Sequence, residues 1–295
     1  MRLPPKKTCP SGKRGACSPQ MKKEVEEYIS QRTLSRDYER DLRRTIERLA
    51  SIGVSSLTGP SVSVVINKWL ASIQNTNTRA KSRRAVVTLC HACGWNRCRS
   101  VADSLVRVKT IVPPPVAYTM KEMEKLLESA RNEAGFFRSS GCSRALWCES
   151  FILACYETGL RFSDVFGLHS SSVRGQRLSV VQHKTGRFIH KRISSRLAHL
   201  LSELSSKSSD GSIFSWAVKV KWGRAALRKC WKRAGLPGTP KFLRRTGATM
   251  CEAMERGSAR EFLGHLSIGL AERHYIDSSL LPERCPSPPF LSSSG

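Results

Sequence analysis

Three consecutive prolines, Pro113 to Pro115, constrain the fold of this chain more than any other feature. Proline fixes its own φ angle and lacks an amide hydrogen, so no helix or central strand runs through such a stretch. The surrounding residues 106–118 show no helical period, which predicts a stiff extended linker. With 295 residues, the chain has room for two domains. We expect them over residues 20–105 and 119–282.

The residues before the linker carry helical periodicity. Apolar side chains recur every three or four residues from residue 21 to residue 49, which predicts two amphipathic helices. Residues 61–73 predict a third helix with Val65, Trp69 and Leu70 facing inward, and residues 78–93 predict a fourth. Residues 1–19 have almost no apolar content, so we expect a disordered basic arm there.

The residues after the linker predict helices around one pair of strands. Thr119 and Glu122 have the spacing of a capping box that opens a helix. Residues 177–193 predict two short strands around a Lys-Thr-Gly turn. Further helices are expected over residues 145–157, from residue 162 or 163 to 168, and over residues 194–206 and 216–234. The fold class is therefore expected to be mainly α with a small β-hairpin or sheet, followed by a flexible tail over residues 283–295.

The charge of the chain indicates a polyanionic partner. The net charge is +27 and the pI is near 10.3, and the excess is shared almost equally by residues 1–110 and 111–295. A solvated basic surface or a ribosomal-type RNA binder would give the same composition. No run of 18 apolar residues and no apolar signal-peptide core occurs, so we expect a soluble intracellular protein without membrane association.

Eleven cysteines are expected to be reduced in that setting. Cys90 and Cys93, followed by Cys98, have the spacing of half a zinc site, but no second pair follows at the required distance. We favour ordinary buried cysteines over a structural zinc ion, and we expect no metal and no other cofactor.

The chemistry of the chain is concentrated near its C-terminal end. Lys241 and Arg244 are three residues apart in a helical pattern, so both can project from one face. His265 and Tyr275 follow within the same 35-residue stretch. Two cations, an imidazole and a phenol suit attack on a phosphodiester, whose transition state carries extra negative charge on its non-bridging oxygens. The Tyr275 phenol is the candidate nucleophile.

Two upstream segments complete a family pattern. Arg161 is followed by Asp164 in a Thr-Gly-Leu-Arg box, and Lys184 lies in a Gln-His-Lys-Thr-Gly segment. Together with the Arg244 and Tyr275 motifs, these segments resemble the tyrosine recombinase and integrase family. The resemblance implies a DNA breaking-and-rejoining enzyme, a site-specific recombinase or integrase of a mobile element, that forms a 3′-phosphotyrosine without metal or ATP. It also implies a homotetramer on synapsed double-stranded DNA and no small-molecule substrate.

The resemblance assigns a role to each residue of the site. Arg161 and Arg244 would clamp phosphate oxygens through planar forks. Lys184 would protonate the departing 5′-oxygen, and His265 would bind a non-bridging oxygen or move the tyrosine proton. Asp164 would support the site from behind these groups.

Two features depart from the family pattern. Lys241 stands where most members have histidine, which suggests retained phosphate contact with altered proton handling. Ten residues separate His265 from Tyr275, where nine is common, and one extra residue turns a helix by about 100°. Neither departure removes a catalytic group.

The helical block 20–105 resembles the core-binding domain that precedes the catalytic domain in this family. Its fourth helix opens with a basic cluster suited to phosphates, formed by Arg79, Lys81, Arg83 and Arg84. A charged solvent face is the alternative interpretation of that cluster. For the whole chain, the alternatives are a type IB topoisomerase and an inactive DNA-binding protein descended from a recombinase.

Overall fold

The protein, in a computed structural model, is described over residues 18–59, 61–110, 112–264 and 268–281. These residues form two compact units that divide between Val112 and Pro113, within the stretch 106–118. Each unit has a hydrophobic core of its own. No helix in the described ranges is long and apolar enough to cross a membrane. The expected arm up to residue 17, the expected tail and His265 lie outside the described residues.

The N-terminal unit is entirely helical. Ser18, Ser35 and Asn75 cap the first, second and fourth helices, and their side chains accept hydrogen bonds from backbone amides in the first turn of each helix. The first helix therefore begins one residue before the expected domain start at residue 20. The helices are α1 (Pro19–Ser30), α2 (Arg36–Ser51), α3 (Val62–Ser72), α4 (Thr76–Ala92) and α5 (Trp95–Ser104).

Two details of this unit differ from the sequence prediction. The fifth helix was not predicted; Gly94 precedes it with a φ of 94°, a conformation that glycine adopts without strain. The inward face assigned to α3 was also wrong at one position, because Val65 is 37% exposed while the neighbouring Ile66 is fully buried. Trp69 and Leu70 face the core as predicted.

Cys90, Cys93 and Cys98 belong to the core of the N-terminal unit. Burial raises the pKa of both Cys90 and Cys93 to about 12, so these side chains remain neutral thiols at neutral pH. Within the described residues, no group of three or more His, Cys, Asp or Glu side chains is arranged to hold a metal ion.

The C-terminal unit combines helices with one small sheet. Its helices are α6 (Met120–Arg131), α7 (Arg144–Thr158), α8 (Phe162–Phe166), α9 (Ser195–Ser205), α10 (Val220–Arg233), α11 (Pro240–Met254), α12 (Ser258–Leu263) and α13 (Ile268–Tyr275). The strands β1 (Val173–Arg174), β2 (Arg177–Val181) and β3 (Phe188–Arg192) form an antiparallel sheet in that order. The mainly α fold class with a small sheet is confirmed.

Helix α7 is the centre of this unit. It packs against α6, α8, α9, α10 and α11, and Trp147 and Phe151 on it are fully buried. The capping box predicted at Thr119 and Glu122 is present at the start of α6. Residues 216–219 were predicted as helix but precede α10, which begins only at Val220. The two-residue strand β1 was not predicted.

Candidate active site

Four of the six candidate catalytic residues line one cavity of about 510 Å³ in the C-terminal unit: Arg161, Lys241, Arg244 and Tyr275. They come from the start of α8, the first turns of α11 and the end of α13. Arg224 and Arg228 of α10 line the same cavity. The cavity therefore collects basic side chains from three helices around one phenol.

Arg244 is the most deeply buried of these residues, with 2% of its surface exposed. Its guanidinium donates hydrogen bonds to the carbonyl oxygens of Gly159 and Leu263, the latter at 3.0 Å. Burial lowers the pKa of Arg244, and the nearby Tyr275 opposes this shift. A guanidinium stays protonated in proteins, so the group remains a cation. Its orientation is set by the ends of α7 and α12.

Two glycines allow the helices around Arg244 to approach each other. A Cβ at Gly247 on α11 would lie 2.3 Å from the carbonyl oxygen of Tyr156 on α7. Gly159 ends α7 with a φ of 61°, and a Cβ there would lie 2.5 Å from the Phe262 ring. Both positions exclude larger residues, because real Cβ atoms do not come this close to their neighbours.

Tyr275 is the last residue of α13 and is half-buried. The Arg244 guanidinium carbon lies 5.0 Å from the centre of its ring, and the two side chains share a hydrogen bond. Around it, α11, α12 and α13 form a small separate core that includes Ala271 and Ile276. The phenol is thus held beside a buried cation by a minor hydrophobic cluster.

Arg161 immediately precedes α8, and polar contacts fix it from two sides. Its Nη1 donates to Oε1 of Gln182 at 3.2 Å. Asp164, which is 4% exposed, accepts the Arg161 backbone amide at 3.4 Å and lies 3.8 Å from Nη1. The other Asp164 oxygen accepts the backbone amide of His183 at 3.0 Å. Asp164 therefore joins the first arginine to the turn between β2 and β3.

Lys184 lies on that turn and is exposed. It is not among the residues that line the cavity. The turn is anchored at its base, since the backbone amides of Thr185 and Gly186 donate to the Gln182 carbonyl at 3.3 and 2.8 Å. Lys184 is thus an exposed cationic side chain on a turn whose backbone is held by hydrogen bonds.

Lys241 lies in the first turn of α11, directly after Pro240. Its side chain is exposed, and it faces the same cavity as Arg244. Proline is favoured at the first position of a helix because a backbone amide there has no acceptor within the helix, so the lack of an amide hydrogen costs nothing.

The sequence motifs contained two contributors whose roles were not recognised. Gln182 is 1% exposed and accepts hydrogen bonds from Arg161 and from Thr185, the latter at 2.8 Å. Arg187 donates to the Gly264 carbonyl at 2.8 Å, which fixes the residue just before His265. Both residues belong to the segment around Lys184, and membership of that segment is the feature of the sequence that could have indicated their roles.

The basic cluster of the N-terminal unit divides into two pairs. Arg79 donates to the Ile73 carbonyl at the end of α3, and Arg83 donates to the Leu105 carbonyl after α5. Lys81 and Arg84 are exposed, and Lys81 forms an ion pair of 2.5 Å with Asp41. Arg79 and Arg83 therefore hold the ends of helices in this structure, while the other pair faces solvent.

A mainly helical unit thus gathers four arginines, a lysine and a tyrosine around one cavity, groups that suit attack on a phosphodiester. The model of the phage integrase family matches residues 118–280, more than half of the chain. The chain belongs to this family, that of the tyrosine recombinases, and the resemblance noted in the sequence is confirmed. Comparison with curated protein sequences gives no match.

Several solved structures share the fold. A lambda integrase fragment, a dimer bound to a COC′ core site, has a TM-score of 0.70 at 15% identity, over 91% of this chain and 98% of that one. A lambda integrase tetramer bound to a Holliday junction gives 0.65 at 16%, over 90% and 79%. The Tn1549 transposon integrase, in complex with transposon right end DNA, gives 0.65 at 12%, over 88% and 96%. At these identities the likeness shows the fold alone.

Proposed function

We propose that this protein is a site-specific DNA recombinase that cuts and rejoins DNA through a 3′-phosphotyrosine at Tyr275. The observation that carries the proposal is the convergence of Arg161, Lys241, Arg244 and Tyr275 on one cavity in a member of the phage integrase family. No two of the three elements that supply these residues are adjacent in sequence, so their convergence is a property of the fold.

The first step is attack by the Tyr275 oxygen on the scissile phosphorus. A bond forms between the phenolic oxygen and phosphorus, and the bond from phosphorus to the 5′-oxygen breaks. The Arg244 charge, 5.0 Å from the ring centre, stabilises the negative phenolic oxygen. Because the phosphotyrosine conserves the bond energy, another 5′-hydroxyl can reverse the step and join a different strand.

Arg161 and Arg244 stabilise the transition state by binding its non-bridging oxygens. Their orientation is set in advance by Gln182 and Asp164 for Arg161, and by the carbonyl groups of Gly159 and Leu263 for Arg244. Donors that are already oriented need little reorganisation when charge develops on the phosphate. Lys241 adds a point charge from the rim of the same cavity.

Lys184 donates the proton that the departing 5′-oxygen requires. Support for this role comes from its place on a turn that Asp164 and Gln182 anchor beside Arg161. The exposed ammonium can then reach over the bound phosphate. His265 is proposed as a further ligand of a non-bridging oxygen or as the group that moves the tyrosine proton.

The partner of the enzyme is double-stranded DNA, and we propose that it acts as a homotetramer on two synapsed sites. The structure of a lambda integrase tetramer on a Holliday junction supports this assembly by analogy of fold. Lys81 and Arg84 are proposed to contact phosphates from the N-terminal unit. The enzyme would act inside the cell, in whichever compartment holds its target DNA.

The protein groups supply every charge that the mechanism needs, so we expect strand transfer to proceed in EDTA and without a nucleotide. Carboxylates that could bind two catalytic metal ions are not gathered in the described part of the chain. Activity that disappears on chelation and returns with magnesium alone would contradict this part of the proposal.

The test is covalent trapping of the full chain on a pool of nicked duplexes of random sequence. Wild type should give a protein–DNA adduct that survives denaturant, and sequencing of the trapped junctions should yield one preferred site. Tyr275→Phe should bind DNA and give no adduct. Tyr156→Phe is the matched control, because Tyr156 is half-buried on α7 and its hydroxyl donates to the Met120 sulfur at 3.8 Å.

Three outcomes would refute the proposal. An adduct with Tyr275→Phe would assign the nucleophile elsewhere. Relaxation of supercoils by wild type without any strand-joining product would indicate a topoisomerase. The absence of an adduct from wild type under all conditions would indicate an inactive DNA-binding protein.

A further inference from the structure

Three arginines lie in a row across the sheet of the C-terminal unit. Arg174 on β1 is directly opposite Arg177 on β2, and Arg177 is directly opposite Arg192 on β3. Directly opposed residues of an antiparallel pair project from the same face. All three arginines are exposed, whereas Leu178, the next residue on β2, is fully buried on the other face. We call Arg174, Arg177 and Arg192 the arginine row.

The arginine row is electrostatically unfavourable for the protein alone. Like charges that face each other across neighbouring strands destabilise a sheet. Within the described residues, no member of the row forms an ion pair with a carboxylate. By contrast, Arg196, four residues after Arg192, pairs with Glu149. An anion from outside the described chain would relieve this repulsion.

The arginine row lines a cavity next to the turn between β1 and β2. Gly175 and Gln176 form the tight turn that places Arg174 opposite Arg177, and Gly175 has a φ of 56°, which favours glycine. The three arginines line a cavity of about 810 Å³ together with Gln176 and His190. Lys191 also borders this cavity, but its ammonium donates to the Glu261 carbonyl on the opposite face of the sheet. Among the described residues, the lining contains no apolar side chain and no carboxylate.

The arginine row points away from the candidate active site. Ile189, on the opposite face of β3, lies 3.4 Å from where a Cβ at Gly264 would be, and Lys191 on that face donates to the Glu261 carbonyl. The segment that leads to His265 therefore lies beneath the sheet. The row also lies at the end of β2 away from the Lys184 turn, four residue steps or about 13 Å from Val181.

We propose that the arginine row binds the phosphate backbone of a second DNA duplex, distinct from the duplex at Tyr275. Neighbouring strands are about 4.8 Å apart, so the row spans roughly 10 Å. Successive phosphates of one strand rise about 3.4 Å each along the duplex axis, so three phosphates fall within reach of three long side chains. Each guanidinium can bind a phosphate through two parallel hydrogen bonds.

The chemistry of the cavity favours DNA over an acidic protein segment. The core of a protein–protein interface is rich in aromatic and other apolar groups and depleted of charge. The lining of this cavity is wholly polar and carries a high density of positive charge. Contacts to backbone phosphates require neither apolar surface nor shape complementarity to bases.

The test measures bridging of two duplexes by the full chain and needs no cleavage. One duplex is fixed to beads, and retention of a second, fluorescent duplex is measured against salt concentration. The variant Arg174→Gln, Arg177→Gln, Arg192→Gln should lose the contribution of three phosphates, so that the slope of log K against log salt flattens by about 2.7. The control replaces three exposed lysines of the same unit, Lys121, Lys125 and Lys232, by glutamine and should keep the wild-type slope.

Adduct formation on a nicked duplex is measured in parallel. The arginine-row variant should form the adduct at the wild-type rate, because none of its three residues lines the cavity at Tyr275. A bridging slope equal to that of wild type would overturn the inference. An adduct rate that falls together with bridging would also overturn it, because the row would then belong to the catalytic duplex. Failure of wild type to form any adduct would refute the proposed recombinase while the bridging comparison still decides the inference.

The single variant Arg177→Glu separates binding from stability. A carboxylate in the centre of the row converts two like-charge pairs into two opposite-charge pairs, so the melting temperature should rise while bridging falls. Retained bridging would overturn the inference. A lowered melting temperature would likewise overturn it, because the row would then be stabilising and would not need an external anion.

Discussion

Replacement of Arg244 by alanine should destabilise α11 as well as abolish cleavage. Arg244 is 2% exposed and donates to two carbonyl oxygens, those of Gly159 and Leu263. A hydrogen bond from a charged group contributes about 1.5–3 kcal/mol, so the loss of both should cost about 3–6 kcal/mol. That cost falls on α11 and on the small cluster around Tyr275.

The measurement is native-state hydrogen exchange of peptides from α11 in the full chain, read as a free energy of opening. Arg244→Lys should recover only part of the lost free energy of opening, because a single ammonium group cannot donate to both carbonyl oxygens in the way that the planar guanidinium does. Arg228→Ala is the matched control: it removes a cation from the same cavity, but Arg228 is exposed and makes no hydrogen bond within the described residues. Its α11 protection should stay within about 1 kcal/mol of wild type.

An unchanged exchange profile in Arg244→Ala would refute this reasoning, since the two buried hydrogen bonds would then contribute nothing measurable. In that case a loss of cleavage would report phosphate binding alone. If the profile changes as expected, kinetic data on Arg244 variants must be corrected for the fraction of protein that is locally open.

Three further predictions concern other residues. Gln182→Met should slow single-turnover cleavage about tenfold with unchanged DNA binding, because losing the contact that positions Arg161 should raise the activation free energy by about 1.4 kcal/mol. Gln182→Glu keeps the hydrogen-bond acceptor and should recover part of the rate. Equal rates for the two variants would rule out a role for the contact with Arg161. Lys241→His should cleave at a rate near that of wild type. Lys241→Ala should lose less of the cleavage rate than Arg244→Ala, because lysine makes a point contact with a phosphate whereas arginine can bind it through two parallel hydrogen bonds. Equal losses of rate would mean that Lys241 transfers a proton. Arg84→Ala and Lys81→Ala should each flatten the slope of log K for DNA binding against log salt by about 0.9. Arg79→Ala and Arg83→Ala should instead lower the melting temperature of the N-terminal unit. The reverse pattern would mean that Arg79 and Arg83 contact DNA while Lys81 and Arg84 stabilise the unit.

The parts of the fold that follow from local chemistry could be predicted from the sequence. The capping box at Thr119 and Glu122 is encoded within a few residues, and the largely apolar composition of residues 145–157 predicts a buried helix. The structure contains both. Strand β1 could not be predicted, because two residues cannot display a period. The error at Val65 was a rotation of α3 by one residue, which only the packing of Ile66 against the core decides.

The site divides in the same way. The spacing of the motifs predicts Arg161, Arg244 and Tyr275 as site residues, and all three line the cavity. The contact of Gln182 with Arg161 joins residues 21 apart, and the hydrogen bond of Arg187 to Gly264 joins residues 77 apart. Such pairs depend on how the sheet lies on α12, and no local pattern in the sequence encodes that arrangement.

The buried thiols provide a separate reporter of opening for each unit. Cys90 and Cys98 belong to the core of the N-terminal unit, and Cys148 and Cys155 belong to the core of the C-terminal unit. Since a thiol reacts through its thiolate, and burial raises the pKa of Cys90 to about 12, alkylation must wait for local unfolding. Mass spectrometry of the alkylated peptides would therefore time the opening of the two units independently in one sample. Labelling with DNA present and absent would show which of the two units the duplex stabilises.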